Sequence, residues 1–96
     1  MVTVNIPDEF DLAIMGRNYV FQPFTTLEDR RELHTALGYE YRVGYIVWRH
    51  AIMATLYVIN GRLACERRID GKCFGRAIDE LPLAEQIELL AYATLR

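Results

Sequence analysis

The chain has 96 residues, of which 52% are hydrophobic and 25% are charged, and its formal net charge is −2. This composition is typical of a folded globular protein and excludes a disordered chain, and the length predicts a single domain over 1–96. The amino-terminal residues lack the basic and apolar regions of a secretory signal, and no apolar run is long enough to span a bilayer. With only two cysteines, the sequence predicts a cytoplasmic protein with reduced thiols and no membrane partner.

The charges are unevenly distributed along the chain. Residues 41–78 hold seven basic and two acidic residues, a net charge of +5, whereas the rest holds four basic and eleven acidic residues, a net charge of −7. A basic segment between acidic ones favours a partner on one side of the molecule. Acidic residues at helix starts and arginines at strand edges would produce the same distribution, so both interpretations stay open.

The first 24 residues carry the weakest structural signals. Residues 2–6 alternate as in a strand, and 7–16 predict a short helix that ends at a glycine. Residues 18–24 predict a short strand, which Pro23 would confine to the edge of a sheet. Whether this region adds a strand or a helix to the fold stays open.

A better-defined helix is predicted over 26–37. Thr25 and Glu28 have the spacing of a capping box, in which each side chain bonds a free backbone N–H at the helix start. Gly38 stands where a glycine commonly ends a helix.

From residue 39 onward the apolar residues recur with a period of two. Asn60-Gly61 and Asp70-Gly71 predict two-residue hairpin turns, because type I′ turns need a positive φ at both central residues. A third turn is predicted at Arg49-His50. The result is a four-stranded antiparallel meander with strands over 41–48, 51–59, 62–69 and 72–77.

Two-residue turns fix the register, so the two faces of this sheet can be predicted. The core face contains Tyr41, Val43, Tyr45, Val47, Ile52, Ala54, Leu56, Val58, Leu63, Cys65, Ile69 and Phe74. The second face contains Arg42, Ile46, Trp48, Met53, Thr55, Tyr57, Ile59, Arg62, Glu66, Arg68 and Cys73. The two cysteines fall on opposite faces, which argues against a disulfide.

The last predicted element is a helix that starts near Pro82. Its apolar stripe consists of Leu83, Ala84, Ile87, Leu90, Ala91 and Leu95. This stripe predicts packing on the core face, with helix 26–37 beside it. The predicted fold is therefore α+β, with a four-stranded antiparallel meander sheet and two helices on one face.

Catalytic and metal-binding patterns are weak in this sequence. The two histidines and two cysteines show no CxxC, HxxxH or HExxH spacing, so we expect neither a metal nor a cofactor. The glycines lack the spacing of a phosphate-binding loop. Cys73 and His50 remain the candidates for a small enzyme, and that interpretation has no other support.

The second sheet face supports a binding role. Tyr, Trp, Met and Arg are enriched at interface cores, and the central strand 51–59 is apolar on both sides, which predicts that something covers this face. The cover could be residues 1–24, a second copy in a homodimer, or another partner. The predicted contact residues are Arg42, Trp48, Met53, Tyr57, Arg62 and Arg68.

Two functions follow from this surface. The first is a non-enzymatic interaction protein of the inhibitor or adaptor type, such as a phage-encoded antagonist of a host complex, that binds a larger protein or protein complex. The second is a nucleic-acid-binding module in which aromatic residues stack on bases and arginines neutralise phosphates. The acidic net charge and the lack of an RNA-recognition signature disfavour the second function.

Overall fold

The computed structural model describes residues 6–24 and 39–96. These residues form six strands and one helix: β1 (Phe10–Ile14), β2 (Arg17–Pro23), β3 (Tyr39–Trp48), β4 (Ala51–Ile59), β5 (Arg62–Arg67), β6 (Cys73–Ala77) and α1 (Leu83–Leu95). The strands lie in sequence order in one antiparallel sheet, which curls into an open half-barrel. Within the described ranges, no helix has the length and apolar character needed to cross a membrane.

The predicted four-stranded sheet with two helices is wrong. The region predicted as a short helix over 7–16 instead contains β1 and a two-residue turn, Met15-Gly16, with φ angles of 51° and 77°. The apolar residues of β1 alternate with a period of two, and this pairing pattern outweighs the helix start and stop signals. The predicted helix 26–37 lies outside the described residues, as does nearly all of the predicted strand 2–6.

β2 was predicted as an edge strand but lies between β1 and β3. β1 pairs with β2 only as far as Phe21. Pro23 lies beyond the end of β1 and pairs only with Gly44 of β3, so a proline is compatible with this position. Pro23 is the last residue of its strand, where a missing N–H interrupts no inner ladder.

The four predicted strands of the meander are present, but the turn between β5 and β6 differs. It spans 68–72 instead of two residues, and of the Asp70-Gly71 pair only Gly71 has a positive φ, of 67°. The N–H of Gly71 donates to the carbonyl of Arg67 at 2.8 Å. Ile69 lies in this turn and is 76% exposed, and Phe74 is 39% exposed, so neither belongs to the core as predicted.

Extra residues in β3 and β4 overturn part of the predicted faces. Arg42 pairs with Tyr57 and Gly44 with Leu56, so Val43 is an extra residue in β3. A single extra residue moves every later side chain of the strand to the other face. Beyond this point, Ile46 is therefore in the core, whereas Tyr45 and Val47 are not.

A second shift lies in β4. Ile46 pairs with Ala54 and Val47 with Ile52, which leaves Met53 as the extra residue. Ala54 faces the core as predicted, but Ile52 does not. We call the face that carries the buried cluster the inner face and the opposite one the outer face.

Gly44 explains the shift at Val43, which is one of three register shifts between β3 and β4. A Cβ on Gly44 would clash with the backbone oxygen of Gln22 and would lie 2.8 Å from the Phe21 ring. β2 and the Phe21 ring can therefore approach β3 only at a residue without a side chain. The glycine inside a strand was the sequence signal for this irregularity.

The core lies between the inner face and α1. The helix contacts β4, β5 and β6 and also reaches β1 across the open side of the curled sheet. The buried cluster contains Leu12, Ile14, Tyr19, Phe21, Val43, Ile46, Ala54, Leu56, Val58, Leu63, Cys65, Ile87, Leu90 and Ala91. The predicted packing of the C-terminal helix on this face is confirmed.

Two polar residues of α1 are also buried. The Nε2 amide of Gln86 donates to the carbonyls of Ile78 and Leu81, which ties the β6–α1 connection to the helix. The Thr94 hydroxyl donates to the Leu90 carbonyl at 2.6 Å. The Thr94 hydroxyl and the Gln86 amide nitrogen avoid most of their desolvation penalty because each has a hydrogen-bond partner. The Oε1 atom of Gln86 is buried without such a partner among the described residues.

Candidate partner-binding site

Three turns meet at one end of the sheet. In an antiparallel meander alternate turns lie at the same end, so the β1–β2, β3–β4 and β5–β6 turns are neighbours. We define the basic end as these turns and the strand positions beside them: 15–17, 48–50 and 67–72. This region holds five arginine or lysine residues and only one acidic residue, Asp70.

Trp48, the last residue of β3, organises the basic end. The guanidinium carbon of Arg17 lies 4.3 Å from the Trp48 ring centroid, and that of Arg49 lies 4.8 Å from it. Such cation–π contacts each contribute about 0.5–1 kcal/mol at exposed sites. The Trp48 ring also packs against the buried cluster and lies 6.2 Å from the Tyr19 ring. The fold therefore holds two positive charges at defined positions on the surface.

The β3–β4 turn beside Trp48 has an unfavourable backbone conformation. Arg49 and His50 have φ angles of 49° and 66°, in the left-handed region that glycine and asparagine prefer. Each such residue costs about 1–2 kcal/mol relative to an ordinary conformation. Backbone strain of this kind concentrates at functional sites, where the surrounding structure maintains it.

The β5–β6 turn supplies further cations. Arg67 lies 3.5 Å from the Asp70 carboxylate through its Nε atom and donates to the Thr94 carbonyl of α1 at 3.5 Å. These contacts compensate the charge of Arg67 and hold the turn against the end of the helix. Arg68 and Lys72 are exposed and lie on either side of this pair.

Large apolar side chains are exposed at the tips of two of these turns. Met15 is 71% exposed and Ile69 is 76% exposed. These apolar side chains are surrounded by basic residues. Such a surface is complementary to a partner surface that is acidic and partly apolar.

The six predicted contact residues do not form one surface. Trp48 and Arg68 belong to the basic end, and Met53 packs against the buried cluster. Arg62 is exposed beside the Asn60-Gly61 turn, at the opposite end of the sheet. The register shifts in β3 and β4 separate these residues, whose role in binding stays a prediction.

The other two predicted residues lie on the outer face. Arg42 pairs with Tyr57. Tyr57 is only 4% exposed, and its hydroxyl lies 3.2 Å from the Sγ atom of Cys73. The Arg42 guanidinium lies 5.6 Å from the ring of Phe24, which follows β2 on this face. Tyr57 is therefore poorly placed to contact another molecule.

Sequence reasoning missed Met15, Arg17, Arg49 and Ile69 as members of one surface. Arg17 was assigned to no strand, and its neighbour Gly16 was interpreted as a helix stop instead of a hairpin turn. The alternating residues of 10–14 were a signal for the β1–β2 hairpin, which places Arg17 at the start of β2, but its contact with Trp48 depends on the pairing of β2 with β3.

The two cysteines have different environments on opposite faces, as the predicted register requires. Cys65 is a buried free thiol, and burial raises its pKa from 9.0 to about 11, although its hydrogen bond with Thr94 acts in the opposite direction. A thiol with this pKa is protonated at neutral pH and is a poor nucleophile. Cys73 is an exposed free thiol at the start of β6, whereas His50 lies in the β3–β4 turn. Among the described residues, no three His, Cys, Asp or Glu side chains are grouped so as to hold a metal ion.

Comparisons of this chain with protein-family models, with curated proteins and with solved structures find no match.

Proposed function

We propose that this chain is a non-enzymatic interaction protein of the inhibitor or adaptor type, which binds a larger protein or protein complex through its basic end. The observation that carries this proposal is the fixed arrangement of Arg17 and Arg49 against Trp48. Arginine and tryptophan are the residue types most enriched among those that dominate binding energy at interfaces.

The strained turn supports the same assignment. Arg49 takes part in the contact with Trp48 and also in the left-handed backbone of the turn. Asparagine and glycine would stabilise this turn better, so the choice of Arg and His favours a role other than stability.

The partner that fits this surface is a protein with an acidic patch beside an apolar contact. Exposed Arg68 and Lys72 would pair with carboxylates at the rim, where they mainly raise the association rate. Met15 and Ile69 would lose their exposure to water, which supplies the part of the affinity that does not depend on salt.

A nucleic acid is the second candidate, and the environment of Trp48 disfavours it. Single-stranded nucleic acids bind by stacking bases on exposed aromatic rings. Two guanidinium groups already lie within 5 Å of the Trp48 ring centroid, so a base would have to displace one of them to stack there. The net charge of −2 is also unfavourable for binding a polyanion.

Capture of partners from a lysate of the native host tests the proposal. The immobilised wild type is compared with an Arg49→Glu/Arg68→Glu double variant and with Arg62→Glu, a control charge reversal at the opposite end of the sheet. We expect the double variant to retain at least about tenfold less of a specific protein, measured by quantitative mass spectrometry, whereas the control retains it. Equal capture by the wild type and the double variant would show that the basic end is not the binding surface.

Nuclease treatment and salt distinguish the two candidates. Binding through several phosphates falls by orders of magnitude between about 50 and 200 mM salt, whereas a partly apolar protein contact falls far less. We therefore expect capture to survive nuclease and moderate salt, and labelled single-stranded oligonucleotides to bind weakly. Loss of the captured protein after nuclease treatment would favour nucleic-acid binding instead.

A further inference from the structure

A second surface lies along the first strand, beside the helix. A groove of about 330 Å³ separates β1 from α1, and its lining residues are Asp11, Leu12, Ala13, Ile14, Glu88, Leu89 and Tyr92. Leu89 is 48% exposed and Tyr92 is 46% exposed on the helix side of this groove. One wall is thus a strand at the edge of the sheet, and the other is an apolar helix surface.

The edge of β1 presents hydrogen-bonding groups in a defined order. Among the described strands, β1 pairs only with β2, and the closing pair of the hairpin is Ile14 with Arg17. In a two-residue turn this closing pair is hydrogen-bonded, and bonded and non-bonded pairs then alternate along the strands. The N–H and C=O groups of Asp11 and Ala13 therefore point away from β2, towards the groove side of the edge.

The charges beside the groove define the chemistry of a complementary ligand. Asp11 projects from β1 and Glu88 from α1, and both are exposed. A strand added beside β1 would place alternate side chains towards Leu89 and Tyr92 and the others on the outer side, near Asp11. Apolar residues suit the first set, lysine or arginine suits the second set near Asp11, and the Glu88 carboxylate beside the groove favours a ligand with a net positive charge.

A second copy of this chain is a poorer occupant. Antiparallel pairing of two β1 strands would bring two Asp11 carboxylates to the same edge. Neither strand contains a basic residue to neutralise them, because the sequence of 10–14 is FDLAI. Like charges at a strand pair are destabilising.

We infer that the β1–α1 groove binds an extended segment of another protein, with alternating apolar and basic residues, which adds to the sheet as a further strand beside β1. The main-chain groups of Asp11 and Ala13 hydrogen-bond the segment, Leu89 and Tyr92 contact its apolar side chains, and the carboxylates select its charge. The exposed charges of this groove are acidic whereas those of the basic end are mostly basic, so the two surfaces suit different partners.

A pair of substitutions at Ala13 isolates the strand-edge contribution. The N–H of Ala13 faces away from β2, so Ala13→Pro removes a donor to the ligand without breaking a bond within the sheet. Ala13→Ser keeps the donor and serves as the control. The probe is a fluorescent ten-residue peptide that alternates valine and lysine, with a valine–glutamate peptide as its charge-reversed counterpart.

We expect the valine–lysine peptide to bind the wild type and the Ala13→Ser variant, and to bind Ala13→Pro at least about tenfold more weakly in fluorescence anisotropy. In the ¹⁵N spectrum the amides of Asp11 and Ala13 should shift and gain protection from exchange. Absence of binding, unshifted β1 amides, or equal affinity for Ala13→Pro would overturn the inference.

A charge reversal on the helix tests the groove even if Ala13→Pro does not fold. Glu88→Lys should weaken the valine–lysine peptide several-fold and favour the valine–glutamate peptide, whereas Glu85→Lys, outside the groove lining, should change neither. Equal binding of both peptides to the wild type would overturn the charge assignment. If sedimentation shows that the wild type is a dimer and Ala13→Pro is a monomer, the inferred occupant is wrong, because the groove would then bind a second copy of this chain.

Discussion

The two hairpins that share β4 are built differently. In the β4–β5 hairpin every residue from Ala54 to Ile59 has one partner, from Arg67 to Arg62, without interruption. The β3–β4 hairpin has three register shifts over a similar length. The regular hairpin carries inner-face residues that pack under α1, whereas the irregular one ends at Trp48 and the basic end.

The turns at the two ends of β4 have similar backbone angles but differ in how well their residues suit those angles. Asn60-Gly61 and Arg49-His50 both have positive φ angles, of 52° and 73° in the first turn and 49° and 66° in the second. The first turn has the residues that this geometry favours, and the second does not. The comparison teaches that one strand can combine an optimised hairpin with a strained one, and that the strain lies on the side of the candidate binding site.

The largest predicted effect concerns the irregular hairpin. Gly44→Ala should destabilise the protein by about 3 kcal/mol or more, because the new methyl group meets the Gln22 backbone and the Phe21 ring. Chemical denaturation measures the loss. Gly75→Ala is the matched control, since its Cβ would meet only the Leu63 carbonyl oxygen, at 3.7 Å, and it should change stability by less than about 0.5 kcal/mol. Similar stabilities of the two variants would contradict the close approach of β2 and β3.

The second prediction concerns the optimised turn. Gly61→Val should lower the free energy of unfolding by more than about 1 kcal/mol, because a β-branched residue disfavours a φ of +73°. Gly61→Asn should lose less, because asparagine tolerates the left-handed region. A wild-type melting temperature for Gly61→Val would rule out the described turn.

A smaller effect of opposite sign is expected in the strained turn. His50→Gly should stabilise the protein by about 0.5–1 kcal/mol, because relief of the left-handed strain exceeds the entropy cost of glycine. His50→Ala keeps a Cβ and should bring no comparable gain. If the Gly variant is less stable than wild type in thermal denaturation, His50 makes stabilising contacts and the turn is not a reservoir of strain.

The effect that is smallest up to about pH 9, and grows only above that pH, is the pH dependence contributed by Cys65 in the regular hairpin. The folded thiol keeps its proton up to a pKa of about 11, whereas the unfolded thiol loses it near 9.0. The unfolded state therefore binds fewer protons between these values, so stability is full below about pH 9 and falls as the pH rises towards 11. The loss should be under about 0.5 kcal/mol at pH 9. In denaturation series from pH 8 to 11, Cys65→Ala should show a shallower decline than wild type, and parallel declines would refute this contribution.

The sequence predicted the β4–β5 hairpin and the packing of α1 because both follow simple periodic rules. Leu63 and Cys65 face the core, as a regular register requires, and the apolar stripe of α1 faces them. The prediction failed for β1 because Gly16 was interpreted as the end of a helix. The short strand predicted over 18–24 is present as β2, but it lies inside the sheet and not at its edge. The prediction also failed for β3, where a one-residue shift at Val43 reverses the face of every later side chain.

The candidate site was less predictable than the fold. Trp48 and Arg68 were predicted as contact residues, but Arg17 joins Trp48 only through the pairing of β2 with β3, which the first 24 residues did not reveal. Gly44 was visible in the sequence as a glycine inside a strand. Its effect depends on which strand lies opposite, and single-sequence periodicity does not contain that information.

The position of α1 in the chain has a consequence for synthesis. The six described strands emerge from the ribosome before the helix that covers their inner face, since α1 begins at Leu83 and β6 ends at Ala77. Until then, Leu56, Leu63 and their neighbours lack the contacts of Ile87 and Leu90. A nascent sheet with an uncovered apolar face is prone to aggregate or to bind a chaperone. We therefore expect a chain truncated before α1 to aggregate or to bind a chaperone.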